Sequence, residues 1–533
     1  MPRTDAAASA PAVEVRELAK AFGTCVANAG VSFCVAPGTI HGIIGENGAG
    51  KSTAMKMLYG IYSPDSGEIL VHGKGCRWRS PQDAIAAGIG MVHQHFMLAG
   101  PYTALDNILL GAESSQRGWN WLPRPLRPID RAAARRKLDA LAARYGLPVD
   151  WEAPVERLPV GIQQRIEILK LLYREARVLI LDEPTAVLTP QETLDLFANL
   201  KRLKEEGKTV LIITHKLKEV MAVTDRVTVF RGGKVTGEVT TSETSPQELA
   251  ELMVGRKVTL RVQAPPKSKP GPTALKVRDV KLADRGHGVQ RLKGVSLEVR
   301  AGEVVGIAGV EGNGQSELLE AILRPSRLLR GKSEHYVGSG RVEVLGRDVT
   351  DLPTAEIKEL GVGWIPEDRL RDGLLPAFSV RENFLLGQHR SPDFVDHGLV
   401  RWNEIEVSLR AALQEYDVRP RDPDVAAGGL SGGNQQKLIV AREFRRKPRL
   451  LVAAQPTRGV DVGAIEFIHE RILSARTEGA GVLLVSSELD EVLALSDRIL
   501  VLYEGQIVAE FERGKPDAAM ERSIGVAMGG GRA

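Results

Sequence analysis

The sequence predicts an α/β fold that is built twice. Three observations predict it. Residues 45–53 read GENGAGKST and residues 309–317 read GVEGNGQSE, so each half carries a glycine loop, and 264 positions separate Lys51 from Gln315. QQR at 163–165 and QQK at 435–437 stand 272 apart, as do DEPT at 182–185 and AQPT at 454–457. Short apolar runs alternate with helical patterns in both halves. A near-constant offset that slips by eight residues reads as two homologous units with a small insertion. The alternation reads as strands and helices of a parallel sheet.

The elements follow in chain order. Residues 1–11 contain an acidic residue and no apolar core, so they read as a disordered leader and not a secretory signal. Residues 12–256 form the first half. Within it, Thr39 to Ile44 is a strand feeding the glycine loop, and Lys51 to Tyr59 has helical character. Val178 to Leu181 runs into Asp182, and Val210 to Thr214 runs into His215. Strands that end in polar residues gather them at the carboxyl edge of a sheet, where ligands bind. Residues 257–273 include VQAPPKSKPGPT, a proline- and lysine-rich extended linker. The second half spans 274–525, and 526–533 read as a flexible tail.

Composition narrows the function classes. With 71 basic and 67 acidic residues in 533, the net charge of +4 implies no strong field for a polyanion, and no nucleic-acid partner is expected. Cys25, Cys34 and Cys76 form no CxxC pair and read as reduced thiols, without a metal site or disulfide framework. No apolar run reaches the ~18 residues of a membrane span. Work at a membrane would need other chains to do the spanning.

The chemistry lies in the first half. GENGAGKS satisfies GxxxxGK[ST] between a strand and a helix. Gly45, Glu46, Asn47, Gly48, Ala49 and Gly50 would turn backbone N–H groups toward phosphate oxygens, and the helix N-terminus adds its dipole. Lys51 supplies a mobile positive charge, Ser52 a hydroxyl for magnesium, and Thr53 completes the loop. Asp182 suits a magnesium-holding carboxylate, and Glu183 suits a base that polarises the attacking water. His215 would ordinarily be a core histidine, but its place after the Asp-Glu strand favours a γ-phosphate contact. Gln94, at a strand end in MVHQHFML, could bridge magnesium and water.

In this order the motifs resemble those of the ATP-binding cassette family: Walker A (45–53), Q-loop (Gln94), signature (158–165), Walker B (178–183) and H-loop (His215). The resemblance covers nearly the whole chain, twice. It implies ATP and Mg2+ as cofactors, and two tandem P-loop nucleotide-binding domains packed head to tail. Each composite site would join the Walker motifs of one half to the signature of the other. Phe22 could fill the adenine-stacking position or be a core aromatic.

The second half departs from the pattern. Lys51 is answered by Gln315, Asp182 by Ala454, Glu183 by Gln455, His215 by Ser487 and Gln94 by Glu367. A lost charge contact at 4 Å is worth about 4 kcal/mol at an effective dielectric of 20. Its signature, however, is whole: LSGGNQQK at 430–437 carries Ser431, Gly432, Gly433 and Asn434, and RGVD ends in Asp461 where the family has SALD. The first half has LPVGIQQR, with Pro159 and Val160 in place of serine and glycine, and AVLT without the aspartate. Head-to-tail pairing therefore collects the intact motifs into one site and the broken ones into the other.

Three readings compete: the energy-coupling subunit of a membrane importer, a soluble tandem-cassette translation factor, and a non-catalytic scaffold. A dozen-residue proline-rich linker and one broken site disfavour the translation factor. The complete set around Lys51, Asp182 and Glu183 disfavours the scaffold. MVHQHFML, VGIQQRIEILKLLYR, DEPTAVLTPQE, GVEGNGQSEL and AAQPTRGVDVGAIEFIH resemble the ATP-binding proteins of nucleoside importers, with the ribose-type monosaccharide importers as the alternative. That resemblance implies two membrane-spanning permease subunits as partners, a substrate-binding lipoprotein acting indirectly, and a peripheral position on the cytoplasmic face of the cell membrane.

Overall fold

Strands buried on both faces organise each half around a central sheet. The computed structural model describes residues 10–23, 25–94, 96–113, 129–185, 188, 190–257, 271–286, 288–310, 312–460, 462–512 and 518–531. The chain divides into two compact units, residues 1–258 and 259–533.

In the first unit a six-stranded sheet runs in the order Lys234–Thr240, Arg226–Arg231, Ile40–Gly45, Thr209–Ile213, Val178–Asp182, Ile89–Val92. All its pairings are parallel except the edge hairpin of Arg226–Arg231 with Lys234–Thr240. Strand Val178–Asp182 is buried on both sides. Val178 and Ile180 join one apolar cluster, with Met55 and Leu58 of helix Lys51–Leu58. Leu179 and Leu181 join another, with Leu105, Ile108 and Leu138 of the helical layer. The period of two thus sends Asp182 to the face shared with the helix that follows the glycine loop.

A second sheet was not foreseen from the alternation of runs. Cys25–Val35, Val13–Phe22, Ser66–Val71 and Lys74–Cys76 form an antiparallel layer against the first cluster. Half-buried alternating positions suit such a layer.

The second unit repeats this plan. Its six strands run Val362–Ile365, Leu450–Ala454, Gly481–Ser486, Val304–Ala308, Arg498–Tyr503, Gln506–Glu512, beside an antiparallel layer of Gln290–Arg300, Thr273–Asp284, Tyr336–Val344 and Arg347–Asp348. Leu450, Val452 and Ala454 face one core, and Leu451 and Ala453 the other.

The expected ends need adjustment. Helix Ala518–Met528 runs past residue 525, and Ile524, Ala527 and Met528 are buried with Ile499 and Val501, so residues 526–528 belong to the fold and not to a tail. Gly271 and Pro272 already hydrogen-bond to Ala301, so the second unit begins inside the expected linker. Residues 1–9 of the leader, 258–270 of the linker and 532–533 lie outside the described residues. Among the described residues no helix is long and apolar enough to cross a membrane.

Candidate functional site

Strand Ile40–Gly45 enters the glycine loop, and helix Lys51–Leu58 leaves it. Gly50 sits at φ 96°, and a Cβ there would stand 2.3 Å from the carbonyl oxygen of Ala27, so only glycine fits. The loop closes on itself through Ala49 N–H to Glu46 O, 3.1 Å. Lys51 is 6% exposed and donates Nζ to the carbonyls of Gly45 and Glu46, both at 2.9 Å. Burial lowers its pKa, against the pull of Glu183 and Asp182. A buried ammonium held by two carbonyls keeps a third donor for an anion. Gly48 and Asn47 form the loop's tip, and Thr53 lies half-buried on the helix.

The structure brings the other expected residues of the first half to this loop. Ser52 Oγ donates to Asp182 Oδ1 at 3.5 Å. Gln94 Nε2 donates to Glu183 Oε2 at 2.9 Å, and His215 Nδ1 lies 3.0 Å from Glu183 Oε1. Both carboxylate oxygens of Glu183 are therefore oriented, each with a lone pair to spare. Glu183 adopts a left-handed φ of 48°, held by its N–H on Ile213 O at 2.9 Å.

The neighbouring carboxyls behave oppositely. Burial, then the charge of Glu183, pushes Asp182 up to about 6. Burial also works to raise Glu183, but the His215 hydrogen bond and the positive neighbours outweigh it and hold it below its ordinary value. The serine hydroxyl and the aspartate that resists ionising offer oxygen donors where a hard dication fits, and such a cation would favour the charged form of Asp182. Among the described residues no cluster of His, Cys, Asp or Glu could hold a metal alone. A magnesium ion here would complete its shell from phosphate and water, with Ser52, Asp182 and Gln94 as the protein's contribution.

Phe22 is 44% exposed and meets Tyr62 edge-on at 5.2 Å, with Lys20 Nζ 5.7 Å from its ring. It is a surface aromatic near the end of the loop's helix and not a core residue. The register of the two antiparallel layers places Asp284 at the matching position of the second half.

Asn28 was missed by sequence reasoning. It is fully buried, donates Nδ2 to Gly50 O at 3.2 Å, and leaves Oδ1 without a partner in the protein. Its counterpart is Leu292, so a comparison of the halves 264 positions apart would have found it. Glu219 was also missed. It accepts from Thr185 and, at 3.1 Å, from Thr214, bracing the turns beside Glu183 and His215.

The second half keeps this scaffold with other residues at the matching positions. Gln315, 8% exposed, donates Nε2 to Val310 O at 2.9 Å. Ser316 Oγ donates to Glu367 at 2.8 Å, Glu367 pairs with Arg458 at 3.3 Å, and Ser487 N–H and Oγ donate to Gln455 Oε1 at 3.1 and 3.2 Å. Ala454 is buried without polar atoms on its side chain.

The signature helices differ as expected. Ser431 caps helix Gly432–Arg445, accepting from Asn434 N and, at 2.8 Å, from Asn434 Nδ2, while Asn434 Oδ1 accepts from Arg419 N. Gly433 is buried behind them. Helix Val160–Tyr173 begins at Pro159 with no side-chain cap. Asp461, and residues 186, 187 and 189 of the first half, lie outside the described residues.

Comparisons with known proteins agree with this geometry. The ABC transporter family model matches residues 29–186 and 292–458. A glucose import ATP-binding protein of Haloferax volcanii is 47% identical over 98% of this chain and 96% of its own length. A nucleoside import ATP-binding protein of Lactococcus lactis subsp. cremoris is 44% identical over 97% of this chain and 98% of its own. A guanosine import ATP-binding protein of Bacillus subtilis is 44% identical over 97% of each.

Proposed function

The chain belongs to the ABC transporter family and is an ATPase, and from that premise we propose that it is the energy-coupling subunit of a nucleoside importer with one working ATP site. The observation that carries the reading is the arrangement around Glu183, whose two oxygens are aimed by Gln94 and His215 beside the Lys51 loop.

Lys51 and the loop amides hold the β- and γ-phosphates, and Phe22 offers its face to the adenine. Ser52, Asp182 and Gln94 would hold magnesium, which would supply neutralisation of phosphate charge. Glu183 accepts the proton of the attacking water, and His215 fixes the Glu183 carboxylate and reaches the γ-phosphate. The family resemblance assigns Ser431, Gly432, Gly433, Asn434 and Asp461 of the second half to binding of the same triphosphate. The site built on Gln315 does not hydrolyse.

Permease subunits of the membrane would dock where Gln94 and Glu367 lie. Met97 and Tyr102 of the first half, and Leu375 and Phe378 of the second, expose apolar surface beside them. On this reading the chain works at the cytoplasmic face of the membrane, with a substrate-binding lipoprotein acting through the permeases.

The nucleoside reading is supported by two relatives and by the AAQPTRG stretch at 453–459. The glucose importer relative favours a sugar as the second reading. In a strain lacking the gene, uptake of labelled guanosine, adenosine and uridine should fall while ribose and glucose uptake persist. The reverse pattern would transfer the assignment to sugars.

A further inference from the structure

One half-buried cation stands beside the intact signature and, among the described residues, has no counterpart beside the degenerate one. Strand Val362–Ile365 matches Ile89–Val92 at an offset of 273, whereas the cap Ser379 matches Thr103 at 276. The second half therefore carries three extra residues between them. They open a single π-helical turn, Arg369–Gly373, whose first amides bond to Asp368 Oδ1 at 3.0 Å. Isolated π turns of this kind are frequent at functional sites.

The turn delivers Arg369 to the signature helix. Its Nε donates to Gln435 Oε1 at 3.1 Å, and its Nη1 to Arg458 O at 2.9 Å. Gln435, one turn inside the helix, also donates to Ala427 O at 3.2 Å, in the turn that precedes Leu430. A Cβ on Gly432 would stand 2.6 Å from Arg369 Nη2. A side chain at 432 would push the guanidinium from this position. In the first half the matching positions hold Phe96, packed on the apolar core, and Val160, whose side chain would occupy that space. Arginine goes with glycine, and phenylalanine with valine, inside one chain.

We infer that Arg369 is a positioning residue for ATP hydrolysis: it fixes the Ser431–Gly433 turn in the orientation that hydrolysis requires. The inference rests on the one-site reading above. A planar guanidinium with contacts to two segments restrains both at once, and small misplacements of a group facing a reacting phosphate are costly in rate. Arg458 extends the restraint, since it also pairs with Glu367 at 3.3 Å.

The test is steady-state Mg-ATP hydrolysis and thermal midpoint for the full-length chain and its Arg369→Ala, Arg369→Lys and Ser431→Ala variants. Arg369→Ala should lower kcat by about tenfold or more, as loss of charged hydrogen bonds does, with KM changed by less than about twofold because the Lys51 loop is untouched. Arg369→Lys should recover part of that loss. Should Arg369→Ala not fold, Gln435→Met, which removes the acceptor and keeps the bulk, carries the test and should also lower kcat at constant KM. A normal kcat in Arg369→Ala beside an impaired Ser431→Ala would overturn this inference and leave the one-site reading standing. A normal Ser431→Ala would overturn the one-site reading itself. A fall in kcat that follows a lowered thermal midpoint and is not relieved by lysine would assign Arg369 to folding alone and overturn the inference.

Discussion

The two halves share a scaffold and differ in chemistry, and the contrast separates what the fold needs from what hydrolysis needs. Glu183 and Gln455 both hold a left-handed backbone, at φ 48° and 46°, and both anchor it by an N–H to the neighbouring strand. Thr185 bonds Glu219 and Thr457 bonds Glu491; Gln164 donates to Pro184 O and Gln436 to Pro456 O. These bonds persist where the loop lysine and the two acids are replaced, so the fold keeps them without those residues. The lysine, the two acids, the histidine and Asn28 are absent from the second half, so the scaffold forms without them, and they are the residues to test for a part in hydrolysis. Removing Asp182 and Glu183 together with their cation also avoids leaving a buried charge unpaired, which would cost several kcal/mol.

The largest effects should come from the first half. Glu183→Gln keeps size and hydrogen bonding but cannot accept a proton. Turnover should fall by about 10²–10⁴-fold while ATP stays bound. Retained ATP hydrolysis would remove Glu183 from the role of base. Lys51→Ala should lower hydrolysis by about 10²-fold or more, because a charged donor to the phosphates is lost. In this case binding of a fluorescent ATP analogue should weaken too, which distinguishes it from the Glu183 variant.

The next effect crosses between the halves. Ser431→Ala removes a helix cap and the hydroxyl proposed to face the triphosphate. A loss of about tenfold to a hundredfold in hydrolysis is expected, as for a hydrogen bond to a charged group. Pro159→Ser, at the matching position in the first half, should leave hydrolysis unchanged. A gain or loss in that variant would show that the first signature takes part.

Much of this contrast was legible in the sequence, because motif residues are compared position by position and need no geometry. The three strands around the glycine loop were read within a residue at each end, since continuous apolar runs ending in a polar residue have few alternatives. The antiparallel layer was not. Val13–Phe22 pairs with Ser66–Val71 across more than forty residues, and local pattern carries no record of that partner. The left-handed turn at Glu183 was equally hidden, because glutamate has no preference for that region and the surrounding fold imposes it at a cost of about 1–3 kcal/mol. Asn28 looks like an ordinary strand residue until its side chain is seen against Gly50.

A smaller and symmetric effect should appear in stability. Thr185→Val and Thr457→Val each deprive a buried glutamate of one hydrogen bond. Each should destabilise its own half by about 1–3 kcal/mol, seen by calorimetry as a lowered transition. Only Thr185→Val should also depress hydrolysis, since only its half holds the base. Equal kinetic loss in the two variants would argue that the second scaffold supports the reaction directly.

The smallest effect is expected at Gln315, and it is the sharpest statement of the asymmetry. Gln315 is as buried as Lys51, yet its amide is satisfied by Val310 O and it brings no charge to the loop. Gln315→Ala should therefore change hydrolysis by less than about twofold, within the range of a neutral hydrogen bond that the reaction does not use. Gln315→Lys should do no more. A lysine there would find Ala454 where the magnesium carboxylate should be and Gln455 where the base should be. It would also face Glu367, already engaged by Ser316 and Arg458. Restoring one charge cannot restore a site whose acid, base and metal ligand are missing together, because these groups act as a unit and their effects are not additive. The measurement is Mg-ATP hydrolysis by both variants beside Lys51→Ala. If Gln315→Ala lost as much activity as Lys51→Ala, the second loop would have a part in turnover that its residues give no means of performing, and the assignment of hydrolysis to the first loop alone would fall.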